Sequence, residues 1–331
     1  MRRRNFIAGC ASGIVTATVL RADNRISGDH SQHISALITC KEHEASGNTD
    51  RFVHAYHAEC LRVVPGALRP IVGRQALADS QQKSASERKL VYFYYRQPQV
   101  VVAGGYALVI CNYEAGYDAG GQIVEESGKA SHILLTGGKS PAIGLQMEVP
   151  NLYHGSYGSL GTALTSPHFG IFPVRGLGPN ADQSAGGGEK DALYAEVQRV
   201  NNAWLGGRTN EVLRNASKSG VFLIGDYSPY YITGTDEVRH HFDDFYKTSK
   251  VHSIQSQDPV VRLWGDTAAV YFNFNLDYNL GGKERKAPGR GVYTFTRNRG
   301  LKPGAPKELA VCAASHLVNK EVGDPYPGGG F

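Results

Sequence analysis

Four short signatures of this chain recur at one spacing, and that repeat limits the fold more than any other feature. Thr49-Asp50 and Thr209-Asn210 each follow a helix-like run and a glycine. Gly73-Arg74-Gln75-Ala76-Leu77 and Gly234-Thr235-Asp236-Glu237-Val238 each open a helical segment. Val100-Val101 before Gly105 matches Val260-Val261 before Gly265, and Gly128 to His132 matches Gly289 to Tyr293. Every pair stands 160 or 161 positions apart. A chain of 331 residues has room for two such copies, each long enough to bury its own core. The expected units are residues 31–154 and 191–320, joined by a Gly/Pro-rich linker over 155–190 and followed by a tail over 321–331.

Within the second copy the coarse elements can be read in order. Leu193, Val197, Val200 and Trp204 recur at helical spacing, and Gly206-Gly207 ends that helix. Thr209 is placed as the cap of a short second helix. Val221 to Ile224 reads as a strand, Asp226 to Pro229 as a turn and Tyr230 to Thr233 as the return. A helix then starts at Thr235 with Asp236 and Glu237 in its first turn, where the helix dipole favours negative charge. Strands are expected around Val260–Trp264, Thr267–Tyr278, Val292–Arg297 and Glu308–Val318, with turns at Gly265-Asp266 and Gly281-Gly282.

Helix, helix, short hairpin, helix and a meander of long strands is an α+β layout. With the Gly-Thr-Asp-Glu-Val helix start and the hairpins after it, this order resembles the nuclear transport factor 2-like superfamily, its SnoaL-like branch in particular. The resemblance implies two cone-shaped domains, each a curved, mostly antiparallel sheet wrapped on about three helices around a pocket. Members bind small, mostly apolar molecules there, and some isomerise, dehydrate or cyclise them with Asp, His or Tyr and no cofactor. It also implies sheet-to-sheet pairing, here satisfied inside one chain as a pseudo-dimer, with a homo-oligomer as a further possibility. The second copy carries the pattern better. The first inserts Pro65 and Pro70 and loses the acidic residues at its third-helix start, so it reads as degenerate.

Strand Val270–Tyr278 alternates Val270, Phe272, Phe274 and Leu276 with Tyr271, Asn273, Asn275 and Asp277. One face is core; the polar one is either solvated or a cavity lining. On the lining reading Asp277 is the first candidate base, with Tyr271, His316 and the turn residue Asp226 as further catalytic candidates. Trp204, Tyr230, Trp264, Asn273, Asn275, Tyr293 and His132 are the candidate ligand contacts. The other reading is a scaffold whose cavities are filled by its own aromatics, and a cavity under about 300 Å³ or one without a buried Asp or His favours it.

Other chemistries find no support. His54 and His57 share a helical face at i and i+3, but no carboxylate or third His is placed near them in sequence, so no metal or cofactor is expected. GGGEK lacks the spacing of a phosphate loop, and Gly155-Ser156-Tyr157-Gly158 lacks that of a nucleophile elbow. The net charge of +5 drops to +1 without Arg2, Arg3, Arg4 and Arg21, too balanced for a nucleic-acid surface. Those arginines bracket an apolar stretch from Phe6 to Leu20, and Arg3-Arg4-Asn5-Phe6-Ile7 resembles a twin-arginine export signal over residues 1–22. Export to a periplasmic or extracellular space is therefore expected, with no membrane span; a general secretory signal is the second reading and lipid anchoring at Cys10 the third. Cys40, Cys60, Cys111 and Cys312 then remain, without metal or redox spacing; a Cys40–Cys60 bridge is permitted, and buried thiols are the simpler reading.

Overall fold

The protein is described from a computed structural model over residues 31–64, 69–87, 89–103, 105–138, 140–151, 188–217, 220–225, 230–297 and 307–316. The expected signal, most of the linker, the tail and Asp226 lie outside these residues. The first unit runs α1 (Ser31–Ala45), α2 (Thr49–His54), β1 (Tyr56–Val63), β2 (Ile71–Val72), α3 (Gly73–Glu87), β3 (Lys89–Ala103), β4 (Tyr106–Ala119), β5 (Gln122–Leu135) and β6 (Ala142–Pro150). The second runs α4 (Glu189–Leu205), α5 (Thr209–Val212), β7 (Phe222–Gly225), β8 (Ile232–Thr233), α6 (Thr235–Thr248), β9 (Ser249–Trp264), β10 (Thr267–Leu280), β11 (Lys283–Thr296) and β12 (Glu308–His316).

Both units build a six-stranded sheet with the same order, β2-β1-β6-β5-β4-β3 and β8-β7-β12-β11-β10-β9. In each, one parallel pair, β1 with β6 and β7 with β12, joins the first strand of the unit to the last, and the other pairings are antiparallel. The α+β class is thus observed twice in one chain. The copies agree even in an irregularity. Gln97 and Asp258, 161 positions apart and each followed by proline, both adopt positive φ, at 47° and 52°. At each the strand register slips, so β3 and β9 carry a bulge at the same point of their length.

Apolar residues on both faces of the sheets make three cores. Val197, Val200, Val238, Phe242, Phe272 and Phe295 pack between the second sheet and its helices. Ile34, Leu37, Phe52, Phe93, Val109 and Tyr113 do so in the first unit. The third core is shared: Leu108, Ile110, Leu145 and Met147 of one sheet meet Ile224, Val260, Ala269 and Val311 of the other. The sheets therefore pack face to face, each with its helices on the far side. A Cβ on Gly144 would stand 3.2 Å from the Trp264 ring, so glycine lets the indole lie against the opposite strand. Tyr231 Oη donates to the Gln97 carbonyl at 2.8 Å, and Arg290 Nη1 to the Val64 carbonyl at 2.9 Å.

Local details correct three expectations. Thr209 is the first residue of α5, not its cap, and its hydroxyl donates to Asp243 Oδ1 at 2.6 Å. His54 ends α2 whereas His57 lies in β1, so the two share no helical face. β9 begins at Ser249 and β11 at Lys283, well before the apolar residues that marked them. All four described cysteines are buried free thiols. Among the described residues no helix is long and apolar enough to cross a membrane.

Candidate functional site

The second unit holds a cavity of about 50 Å³ between its sheet and helices. Trp204 of α4 and Phe245 of α6 close it from the helical side, Ile254, Phe272 and Phe274 form one wall, and Tyr293 stands in its floor. Phe272 and Phe274 can lie flat because β11 offers Gly291 and Gly289 beneath them; a Cβ at either glycine would overlap the ring above it. Trp204 is held edge-on by Phe242, with ring centroids 4.7 Å apart. Tyr293 Oη donates to Asn201 Oδ1 at 2.9 Å. None of the ten lining residues is a carboxylate, imidazole or ammonium group. Burial pushes the Cys312 thiol up to about 12, so it stays protonated at neutral pH.

Of the residues proposed from sequence, Trp204 and Tyr293 line this cavity. Strand alternation carries the others away. Phe272 and Phe274 point to the helices, so Tyr271 and Asn273 point to the other sheet, where Tyr271 Oη donates to Asn273 Oδ1 at 2.7 Å. Asn275 and Asp277 share that outward face, and Asp277 Oδ2 accepts from Ser253 Oγ at 3.0 Å. The polar face of β10 is thus directed toward the sheet pairing and its margin, which corrects its reading as a pocket lining. Trp264 lies in the shared core against Gly144, and Tyr230 is 62% exposed. The backbone of His316 pairs with Gly289 at the end of β12. His132 lies in the first unit.

That first unit is where sequence reasoning missed most. Its interior holds a buried ion network at the place the cavity occupies in the second. Lys41 Nζ donates to Glu148 Oε1 at 2.7 Å and Glu44 Oε2 at 3.0 Å, and Arg62 Nη2 to Glu44 Oε1 at 2.7 Å. Gln146 donates to Glu148 and accepts from Tyr56. Lys41 also lies 4.3 Å over the Phe93 ring. The register makes the correspondence exact in position: His132 sits between Val109 and Gln146 as Tyr293 sits between Val270 and Cys312. By the same pairing Arg62 matches Leu223 and Glu148 matches Ala314. The common helix spacing sets Lys41 against Asn201 and Glu44 against Trp204. The expected loss of acidic residues at the third-helix start is observed, for the first turn of α3 has none, while the interior keeps Glu44 and Glu148.

The network is a poor source of acid/base chemistry at neutral pH. Burial raises the Glu44 carboxyl, but Arg62 and then Lys41 outweigh it and hold it to about 2. Glu148 is likewise held low, chiefly by Lys41 against the cost of burial. Burial lowers the Lys41 ammonium, yet Glu148 and Glu44 return it above its ordinary value. His132 is 0% exposed with neither ring nitrogen partnered, and burial depresses it to about 3. Every group is driven away from neutrality, whereas a working general acid or base sits near it.

No protein-family profile matches the chain, and no curated protein does. Solved structures with similar folds include the β subunit of benzoate 1,2-dioxygenase from Burkholderia mallei, 14% identical over 39% of this chain and 96% of that one, TM-score 0.34. A ketosteroid isomerase-like protein from Erwinia carotovora atroseptica is 14% identical over 39% and 97%, TM-score 0.34. An NTF2-like protein from Cytophaga hutchinsonii is 10% identical over 39% and 99%, TM-score 0.33.

Proposed function

We propose that this chain is a tandem SnoaL-like protein that binds a compact apolar or aromatic molecule in its second unit without converting it. The observation that carries this reading is the lining of the cavity: aromatic and aliphatic apart from the Cys312 thiol, without a carboxylate, imidazole or ammonium group among the described residues. An apolar wall gains about 25 cal/mol for each Å² of ligand surface it takes from water, and needs no charged partner to do so. The first unit then serves as packing partner, its equivalent space filled by Lys41, Glu44, Arg62 and Glu148. At about 50 Å³ the cavity is a third of the roughly 150 Å³ that admits benzene in an engineered core. Entry of a ring therefore displaces the half-buried Phe245 and Ile254. The small size and the lack of a carboxylate or imidazole among the described lining residues count against turnover by Asp277, Tyr271 or His316. Both also meet the terms set above for the scaffold reading, which stands as the alternative that the titration below decides.

The chain has two tryptophans, so Trp264→Phe leaves Trp204 as the reporter. Titration with toluene should then shift Trp204 emission saturably, and Ala314→Phe, which fills the cavity, should abolish the shift. An unsaturable response, or one indifferent to Ala314→Phe, overturns the reading. We further propose export through the segment 1–22, supported by the Arg3-Arg4-Asn5-Phe6-Ile7 motif. N-terminal sequencing of the mature protein tests it: retention of Met1 in an exported product, or a cytoplasmic product, refutes it.

A further inference from the structure

Two hydrogen-bond donors beside the cavity have nothing to donate to. Asn201, 3% exposed, uses its Oδ1 to accept from Tyr293 and leaves Nδ2 buried and unpartnered. One turn along α4, Trp204 presents a buried Nε1–H that also lacks a partner. The two residues lie three apart on one helix face: Trp204 lines the cavity directly, and Asn201, just behind the lining, is tied to it through Tyr293. A buried donor without an acceptor costs about 1–3 kcal/mol, so native proteins seldom leave one unsatisfied without a reason. Two such donors thus stand on the helix that borders an otherwise apolar hollow. Neither carries formal charge, and among the described residues no cation lines the space.

On the reading that this cavity binds a small molecule, we propose that its ligand is an aromatic carrying one neutral hydrogen-bond acceptor, such as a carbonyl, nitrile or ring nitrogen, seated against Asn201 Nδ2 and Trp204 Nε1. A plain hydrocarbon leaves both donors orphaned. A carboxylate brings a charge that nothing in the lining offsets.

Benzonitrile and ethynylbenzene have the same shape and differ in whether the terminal atom accepts a hydrogen bond. Both are titrated against the full-length Trp264→Phe protein by Trp204 emission, and in parallel against the unaltered chain by ligand-observed NMR. Benzonitrile should bind about three- to tenfold more tightly, the range of one net hydrogen bond. Asn201→Leu should erase that preference, benzonitrile losing more affinity than ethynylbenzene. Because Asn201→Leu also frees the Tyr293 hydroxyl, Trp204→Phe read by NMR provides a second variant, expected to narrow the preference. Equal affinity for the two probes overturns this proposal and leaves the apolar site standing. A preference that survives in both variants overturns the assignment to these donors. Absence of saturable binding by either probe overturns the underlying site as well.

Discussion

His132 and Tyr293 occupy one position in two copies of the same sheet, yet only Tyr293 has a hydrogen-bond partner for its polar end. Replacing an unpartnered buried polar group by an apolar one of similar shape is neutral or stabilising. His132→Phe should therefore raise the melting temperature at pH 7 or leave it unchanged, and a clear loss would mean that the imidazole holds something unseen.

The same imidazole sets an acid limb. Its folded pKa of about 3 lies below the ordinary 6.5, so the unfolded chain takes up a proton first as pH falls. Stability should be intact above pH 6.5 and decline from there toward 3. Glu44, held to about 2 against an ordinary 4.5, adds a second decline that starts near 4.5. Urea unfolding across this range should show both in the parent and a smaller upper one in His132→Phe, where His241, also depressed by burial, keeps its share.

Lys41 sits between two buried carboxylates, so removing it strands charge. Lys41→Met should cost about 3–5 kcal/mol in chemical denaturation, as loss of one partner of a buried ion pair does. The fourfold change Lys41→Asn, Glu44→Trp, Arg62→Leu and Glu148→Ala, which installs the residues of the second unit, should cost less than the single one. A larger loss in the fourfold variant would show that the two interiors are not interchangeable.

Gly291 supports the ring of Phe272, and a methyl group there pushes that ring into the cavity. Gly291→Ala should destabilise by about 1–3 kcal/mol, the usual cost of overpacking, and weaken toluene binding at least severalfold. Unchanged affinity would place the bound molecule elsewhere.

Asp277 stands on the far side of β10 from the cavity. Asp277→Asn should leave ligand affinity unaltered and shift stability by no more than about 0.5 kcal/mol. A tenfold loss of affinity would put the site on the other face of the sheet.

Much of this arrangement is legible in the residues. The 160–161 spacing gives the two copies, and the period-2 pattern of 270–278 gives a strand with distinct faces. Which face borders a cavity is not legible, because both are buried: Tyr106 to Tyr113 are covered at every position, by helices on one side and the second sheet on the other. Gly289 and Gly291, two apart and opposite Phe274 and Phe272, were the available clue to the inward face. The charged interior was hidden differently. Lys41 and Glu44 stand three apart on a helix, the spacing of an ordinary surface pair, and only the arrival of Glu148 from a strand 107 residues away makes them interior.

The bulges at Gln97 and Asp258 fall on β3 and β9, the long outer strands of their sheets. A straight border of 15 or 16 residues would invite another chain to extend the sheet indefinitely. Pro98 and Pro259 lack the amide such an addition needs, and the left-handed residue before each turns the border aside. Both open margins are thereby interrupted midway, a built-in guard against fibrous stacking.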